Sequence, residues 1–261
     1  MNDTYRPGTW GDAGQFQQRP APSGGLLFKR DWIKVVDTVP GEVVATVRSW
    51  DVAGTTETQR THSTARTAGV RMSRTTTGAF VITDIVKGWW SDHEVDAAMR
   101  QAAQLDGPEV EVREEQEPGS SGLAVVNARR KALAGYPYRG VRPMTDKVTR
   151  ARPMASQAEG GHVMILVPQA DGVPDARAQT MAKEFLDELE MFPAGTLKDQ
   201  VDAASQALNV LTGVAEPLEI TRGPQAAPQT PEEMQAEEAR RSAEARQAVD
   251  DAIARDGVYW P

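Results

Sequence analysis

The run GEVVATVRSWD, residues 41–51, sets Val43, Ala45 and Val47 on alternate positions between a Pro40-Gly41 pair and Gly54. A pattern of period two predicts a strand, here one that ends in an aspartate. Two more strand-like runs follow at residues 69–73 and 79–86, joined by the turn Thr76-Thr77-Gly78. Three successive antiparallel strands are the simplest reading. The period then changes. Ser91-Asp92-His93-Glu94 forms a capping box, and Val95, Ala98, Met99, Ala102 and Leu105 keep helical spacing up to Gly107-Pro108. Residues 109–115 (EVEVREE) predict a short strand, residues 119–133 a weaker helix, 138–143 a strand, 147–159 a helix and 162–167 a strand. Two helices close this body, one carrying Met181, Phe185 and Leu189, the other Val201, Ala204, Leu208 and Leu211. Three strands followed by alternating helices and strands point to an α/β domain, with a mixed central sheet covered by helices on both faces.

The flanks are different in kind. Residues 1–30 are rich in Gly, Pro and Gln and read as an extended lead-in to the domain at 31–215. Residues 216–261 read as a Pro-rich linker (Pro224, Pro228, Pro231) and an acidic tail, helical or disordered, with ten acidic and five basic side chains. Of the net charge of −8 over 261 residues, the part before the tail carries only −3. That excludes a generally basic DNA coat without excluding a nucleic-acid partner. Cysteine is absent and the three histidines are scattered, so neither a disulfide framework nor a histidine zinc site is expected. The opening MNDTYRPGTW has no basic start followed by an apolar run, and no apolar stretch approaches ~20 residues. A cytosolic protein without a membrane partner is the expectation.

Three groups of carboxylates stand where chemistry is possible. Asp51 lies where the first strand runs out, followed by small residues, and strand ends are where ligand sites gather in open α/β sheets. Read alone, it is more simply a turn-forming aspartate. Glu114, Glu115 and Glu117 lie at the end of a later strand, before Pro118-Gly119, and alone read as a solvated acidic loop. Asp199 and Asp202, three apart, share one face of the last helix with Gln206 and Asn209, opposite an apolar face. Aspartates there also serve simply as helix-dipole compensation. Brought together, the three groups would make an all-oxygen site for two Mg²⁺ or Mn²⁺ ions, able to activate water and stabilise the leaving oxygen of a phosphodiester.

Five segments in order carry a resemblance: QQRPAPSGGLLFKRDW (17–32), SWDVAGT (49–55), EEQEPGSSG (114–122), DKVTRARPMASQAEGG (146–161) and FLDELEMFPAGTLKDQVDAA (185–204). They resemble the C-terminal nuclease domain of the large terminase subunit of tailed bacteriophages. The resemblance implies a ribonuclease H-like fold and a metal-dependent endonuclease that cuts concatenated viral DNA during genome packaging. It matches Asp51 to the family's first-strand aspartate, Asp199 to the second aspartate of a His-Asp-Asp element, and Asp202 to the acid three residues on. The middle acid is Glu115, with Glu117 the alternative. It implies catalytic roles for Asp51, Glu115 and Asp199, and metal ligation by those three with Glu117 and Asp202. Leu197-Lys198 departs from the pattern, standing where the family usually has His-Asp. These residues hold no G-x-x-x-x-G-K-[ST] phosphate loop, so the expectation is a nuclease half without its ATPase part.

The implied partners are double-stranded DNA, the terminase ATPase part, the small terminase subunit and the portal, in the cytoplasm of a bacterial host. Two basic sets, Arg129, Arg130 and Lys131, and Lys147, Arg150 and Arg152, are either solvated faces or a phosphate-tracking surface beside the acids. Trp89-Trp90 reads as packing at the end of the third strand. Two other functions fit the same residues: a docking or DNA-binding module with weakened catalysis, which Lys198 favours, and another ribonuclease H-like recombination nuclease.

Overall fold

The computed structural model describes residues 27–53, 65–115, 120–141 and 145–213. All of them lie in the first of two units, Met1–Thr221 and Arg222–Pro261. Glu117, the polar segment 54–64, the tail and most of the lead-in lie outside the described residues.

A three-residue strand, β1 (Lys34–Val36), precedes the expected meander of β2 (Val43–Asp51), β3 (Thr67–Thr75) and β4 (Phe80–Gly88). The β3–β4 turn is the Thr76-Thr77-Gly78 turn, with Gly78 at φ +83, a conformation that glycine adopts without Cβ strain. Helix α1 (Asp92–Asp106) starts at Ser91 with both halves of the capping box formed. There follow β5 (Glu111–Glu115), α2 (Ser120–Ala132), β6 (Tyr138–Val141), α3 (Lys147–Glu159) and β7 (Val163–Leu166). A small hairpin, β8 (Gln169–Ala170) and β9 (Val173–Pro174), leads to α4 (Ala176–Met191) and α5 (Asp199–Leu211).

The seven-stranded sheet runs β1-β7-β4-β3-β2-β5-β6. Only β3 opposes its neighbours; β5 pairs parallel with β2, β6 with β5, β7 with β4, and β1 with β7. The carboxyl ends of β2 and β5 therefore lie side by side on one edge. Helices cover both faces, as expected. On one face α3, α4 and α5 bury Val47, Val70, Met72, Ile82 and Ile165 in the larger core cluster. On the other, α1 and Leu133, just past the end of α2, enclose Trp50 and Val112 with Val95 and Met99.

Trp50 fixes the phase of β2. It is fully buried, and its antiparallel partner is Gly69, where any Cβ would come within 2.7 Å of the indole. Because strand side chains alternate, burying Trp50 on the α1 face sends Asp51 to the α5 face. Helix α5 departs from the amphipathic reading. Among its residues all but Gln206 are buried, because α5 lies between β2–β3 and α3. Part of its polar stripe faces α3: Asp202 pairs with Lys147 and Asn209 Nδ2 donates to the Arg150 carbonyl at 3.0 Å, while the adjacent Ser205 Oγ meets Met154 Sδ at 3.5 Å.

Candidate functional site

Strands β2 and β5 are in register with Trp50 beside Glu114. One residue on, Asp51 and Glu115 leave the sheet together at its carboxyl edge and on the α5 face. The first turn of α5 adds Asp199 and Asp202, held across β2 and β3 by the buried run Val201, Ala204 and Leu208. The structure thus brings together Asp51, Glu115, Asp199 and Asp202. Burial, together with the negative charges of Asp202, Asp199 and Glu115, pushes the Asp51 carboxyl up to about 7 against the opposing pull of Lys147. Asp202 is also raised by burial, and again Lys147 works the other way.

Cations from α3 meet these acids. The Lys147 ammonium lies 2.5 Å from Asp202 Oδ2 and 3.5 Å from Asp51 Oδ2. One turn on, Arg150 Nη2 donates to Glu115 Oε2 at 2.8 Å. Asp199 Oδ2 accepts the Arg66 backbone N–H at 2.9 Å and its Nε at 3.5 Å. In each of the four carboxylates the second oxygen has no partner among the described residues.

Arg66 and Glu188 are members of this site that the sequence reading did not single out. Arg66 Nη2 donates to Glu188 Oε2 at 2.7 Å, and its guanidinium lies 5.6 Å from the Trp89 ring centre. Glu188 accepts the backbone N–H groups of Gln200 at 2.7 Å and Val201 at 3.2 Å, and the Gln200 side chain at 2.6 Å. It therefore caps α5 from a neighbouring helix, a task that the N-cap residue Lys198 leaves undone. The signal was present: a glutamate three residues after Phe185 and beside Leu189 stands on the buried stripe of α4. Lys198 itself makes no side-chain hydrogen bond or ion pair among the described residues.

Other expected positions lie apart. Glu114 points to the α1 face, where it pairs with Arg129 and accepts from the Tyr138 hydroxyl at 2.5 Å. Arg129, expected on a DNA-facing surface, is buried and also bonds Asp96 at 2.9 Å. Arg130, Lys131 and Arg152 are exposed, while Lys147 and Arg150 turn to the acids. Trp90 packs with the smaller core cluster, as read. A groove of about 650 Å³ opens elsewhere, along β1 between Val36, Pro174 and Leu186, and none of the four acids lines it.

The donor set is carboxylate oxygen throughout, which suits a hard cation such as Mg²⁺ or Mn²⁺. Among the described residues, though, no three acids or histidines are grouped closely enough to hold an ion as they stand. The Lys147 ammonium bridges Asp51 and Asp202.

No family model matches the chain, and no curated protein matches it. Several solved structures do. The chain resembles terminase nuclease domains. The nuclease of the large terminase of thermophilic phage G20c, with bound zinc, is 14% identical; the match covers 70% of this chain and 97% of that one at a TM-score of 0.48. The human cytomegalovirus terminase nuclease domain, soaked with manganese and with inhibitor bound, is 8% identical, covering 73% and 97% at a TM-score of 0.49. The fowlpox virus resolvase in complex with Holliday junction DNA is 9% identical, covering 65% and 98% at a TM-score of 0.37. Among the described residues, no helix is long and apolar enough to cross a membrane.

Proposed function

We propose that the chain is a divalent-metal-dependent endodeoxyribonuclease that cuts concatemeric phage DNA during genome packaging, the ribonuclease H-like nuclease part of a terminase large subunit. One observation carries this reading: Asp51 and Glu115 leave the carboxyl edge of two adjacent parallel strands on the side where the first turn of α5 presents Asp199 and Asp202, each carboxylate keeping an oxygen without a partner among the described residues. In this reading Asp51, Glu115 and Asp199 are the catalytic carboxylates, and Asp202 and Glu117 are further ligands of two Mg²⁺ or Mn²⁺ ions. Such ions, when bound, activate water and stabilise the leaving oxygen of the phosphodiester.

The chain's own residues do the positioning. Trp50 sets the direction of Asp51, Glu188 and Arg66 hold Asp199 and the start of α5, and the burial of Asp202 keeps water from competing for its oxygens. Arg130, Lys131 and Arg152, with the exposed part of Lys147, supply phosphate contacts to double-stranded DNA. The terminase ATPase part, the small subunit and the portal are the protein partners, in the cytoplasm of the bacterial host.

A second reading, a docking module with weakened catalysis, is favoured by the neutralisation of the acids by Lys147 and Arg150. Nicking of supercoiled plasmid separates the two. Mn²⁺-dependent nicking by the wild type and none by Asp51→Asn supports the nuclease. A wild type that binds plasmid and leaves it intact at millimolar Mn²⁺ supports the docking module.

A further inference from the structure

Helix α3 begins at the mouth of the acidic site. Asp146 caps it, accepting the Thr149 backbone N–H at 3.0 Å and the Thr149 hydroxyl at 2.7 Å, which fixes the first turn. The Asn209 amide ties that turn to α5 through the Arg150 carbonyl. Lys147 and Arg150, three residues apart, therefore both face the acids. The Lys147 ammonium is shared between two carboxylates supplied by two different elements, β2 and α5. Its side chain is 47% exposed while that of Asp202 is 3% exposed, so the cation has room to leave and the carboxylate has not.

We propose that Lys147 is the resident counter-cation of this site: in the metal-free protein its ammonium holds the place between Asp51 and Asp202, and a divalent ion loads only by exchange with it. This rests on the metal-site reading above. An ammonium and a divalent cation compete for the same oxygens and repel one another, so Lys147 lowers the affinity of the site for metal. The same ammonium offsets the repulsion between Asp51 and Asp202 when no metal is bound, so the fold does not depend on the metal for its stability. Lys147 thus acts as a positioning residue that sets the metal concentration at which the site fills.

The test is Mn²⁺ binding to the full chain, followed by the electron paramagnetic resonance of the free ion, with thermal melts in metal-free buffer at pH 8. Lys147→Met is expected to bind Mn²⁺ at least about tenfold more tightly than wild type. Its metal-free Tm is expected to fall by about 4 °C or more, and its Mn²⁺-induced rise to exceed that of wild type. Lys147→Arg keeps the charge and is expected to stay within about threefold of the wild-type affinity. If the methionine variant does not fold, Lys147→Gln, which keeps a polar partner for Asp202, makes the same comparison. Unchanged or weaker Mn²⁺ binding in the uncharged variant overturns the role of Lys147. If neither wild type nor that variant binds Mn²⁺ at millimolar concentration, the metal-site reading itself fails.

Discussion

Glu114 and Glu115 are neighbours in the chain, yet they belong to different regions of the molecule. Glu114 points to the α1 face, sealed against Arg129 and Tyr138; Glu115 points to the α5 face, beside Asp51 and within reach of Arg150. The first is a closed network. Burial pushes the Glu114 carboxyl up, and Arg129 and Tyr138 pull against it. The second is open, with carboxylate oxygens that have no partner among the described residues and cations that have partial access to solvent. The alternation of a strand thus separates a structural acid from a site acid, and Trp50 against Gly69 sets the same phase on β2.

The strongest way to sharpen that contrast is to neutralise the two glutamates separately. Glu115→Gln, like Asp51→Asn, is expected to lower Mn²⁺-dependent nicking by at least about 100-fold. Its cost in urea unfolding should stay within about 1 kcal/mol, since the lost pair with Arg150 is part-exposed. Glu114→Ala is expected to do the opposite, costing about 3 kcal/mol by leaving Arg129 short of a buried partner while nicking per folded molecule persists. Equal effects of both on nicking would erase the distinction between the faces.

Gly69→Ala attacks the phase itself. A methyl 2.7 Å from the Trp50 ring forces the indole to move, with an expected loss of about 2 kcal/mol in the same unfolding assay. A variant as stable as wild type would mean that Trp50 does not lock β2.

A smaller effect is expected from pH. The Asp51 carboxyl stands at about 7 in the folded chain, above the ~3.9 of an unfolded aspartate, so the native state binds more protons between these values. Metal-free stability therefore falls as pH rises from about 4 to about 7. Above that the penalty is complete. In Asp51→Asn this component of the slope is absent. Parallel stability–pH curves for the two proteins would contradict the burial of Asp51 beside the other acids.

Much of this was legible beforehand, for physical reasons. The meander announced itself through period-two alternation and a glycine turn, α1 through its capping box, and α4 and α5 through apolar spacing. That Asp51, Glu115, Asp199 and Asp202 lie on one side of the sheet follows from their places at two strand ends and a helix start. β1 was not legible, because three residues carry no periodicity and their pairing with β7 comes from far along the chain. Arg66 lies beside a polar segment without pattern, and its role arises only where β3 meets α4 and α5. The direction of Lys147 and Arg150 was equally hidden: a basic run on a helix has the same spacing whether it faces DNA phosphates or carboxylates, and only the docking of α3 on α5 decides.

The position that a metal takes in this protein is the decisive observation. In a crystal of the chain soaked with Mn²⁺, anomalous scattering should place manganese at about 2.1 Å from oxygens of Asp51, Glu115 and Asp202, with the Lys147 ammonium moved out from between them. No manganese at these carboxylates under saturating soak, with Lys147 still bridging Asp51 and Asp202, would contradict it.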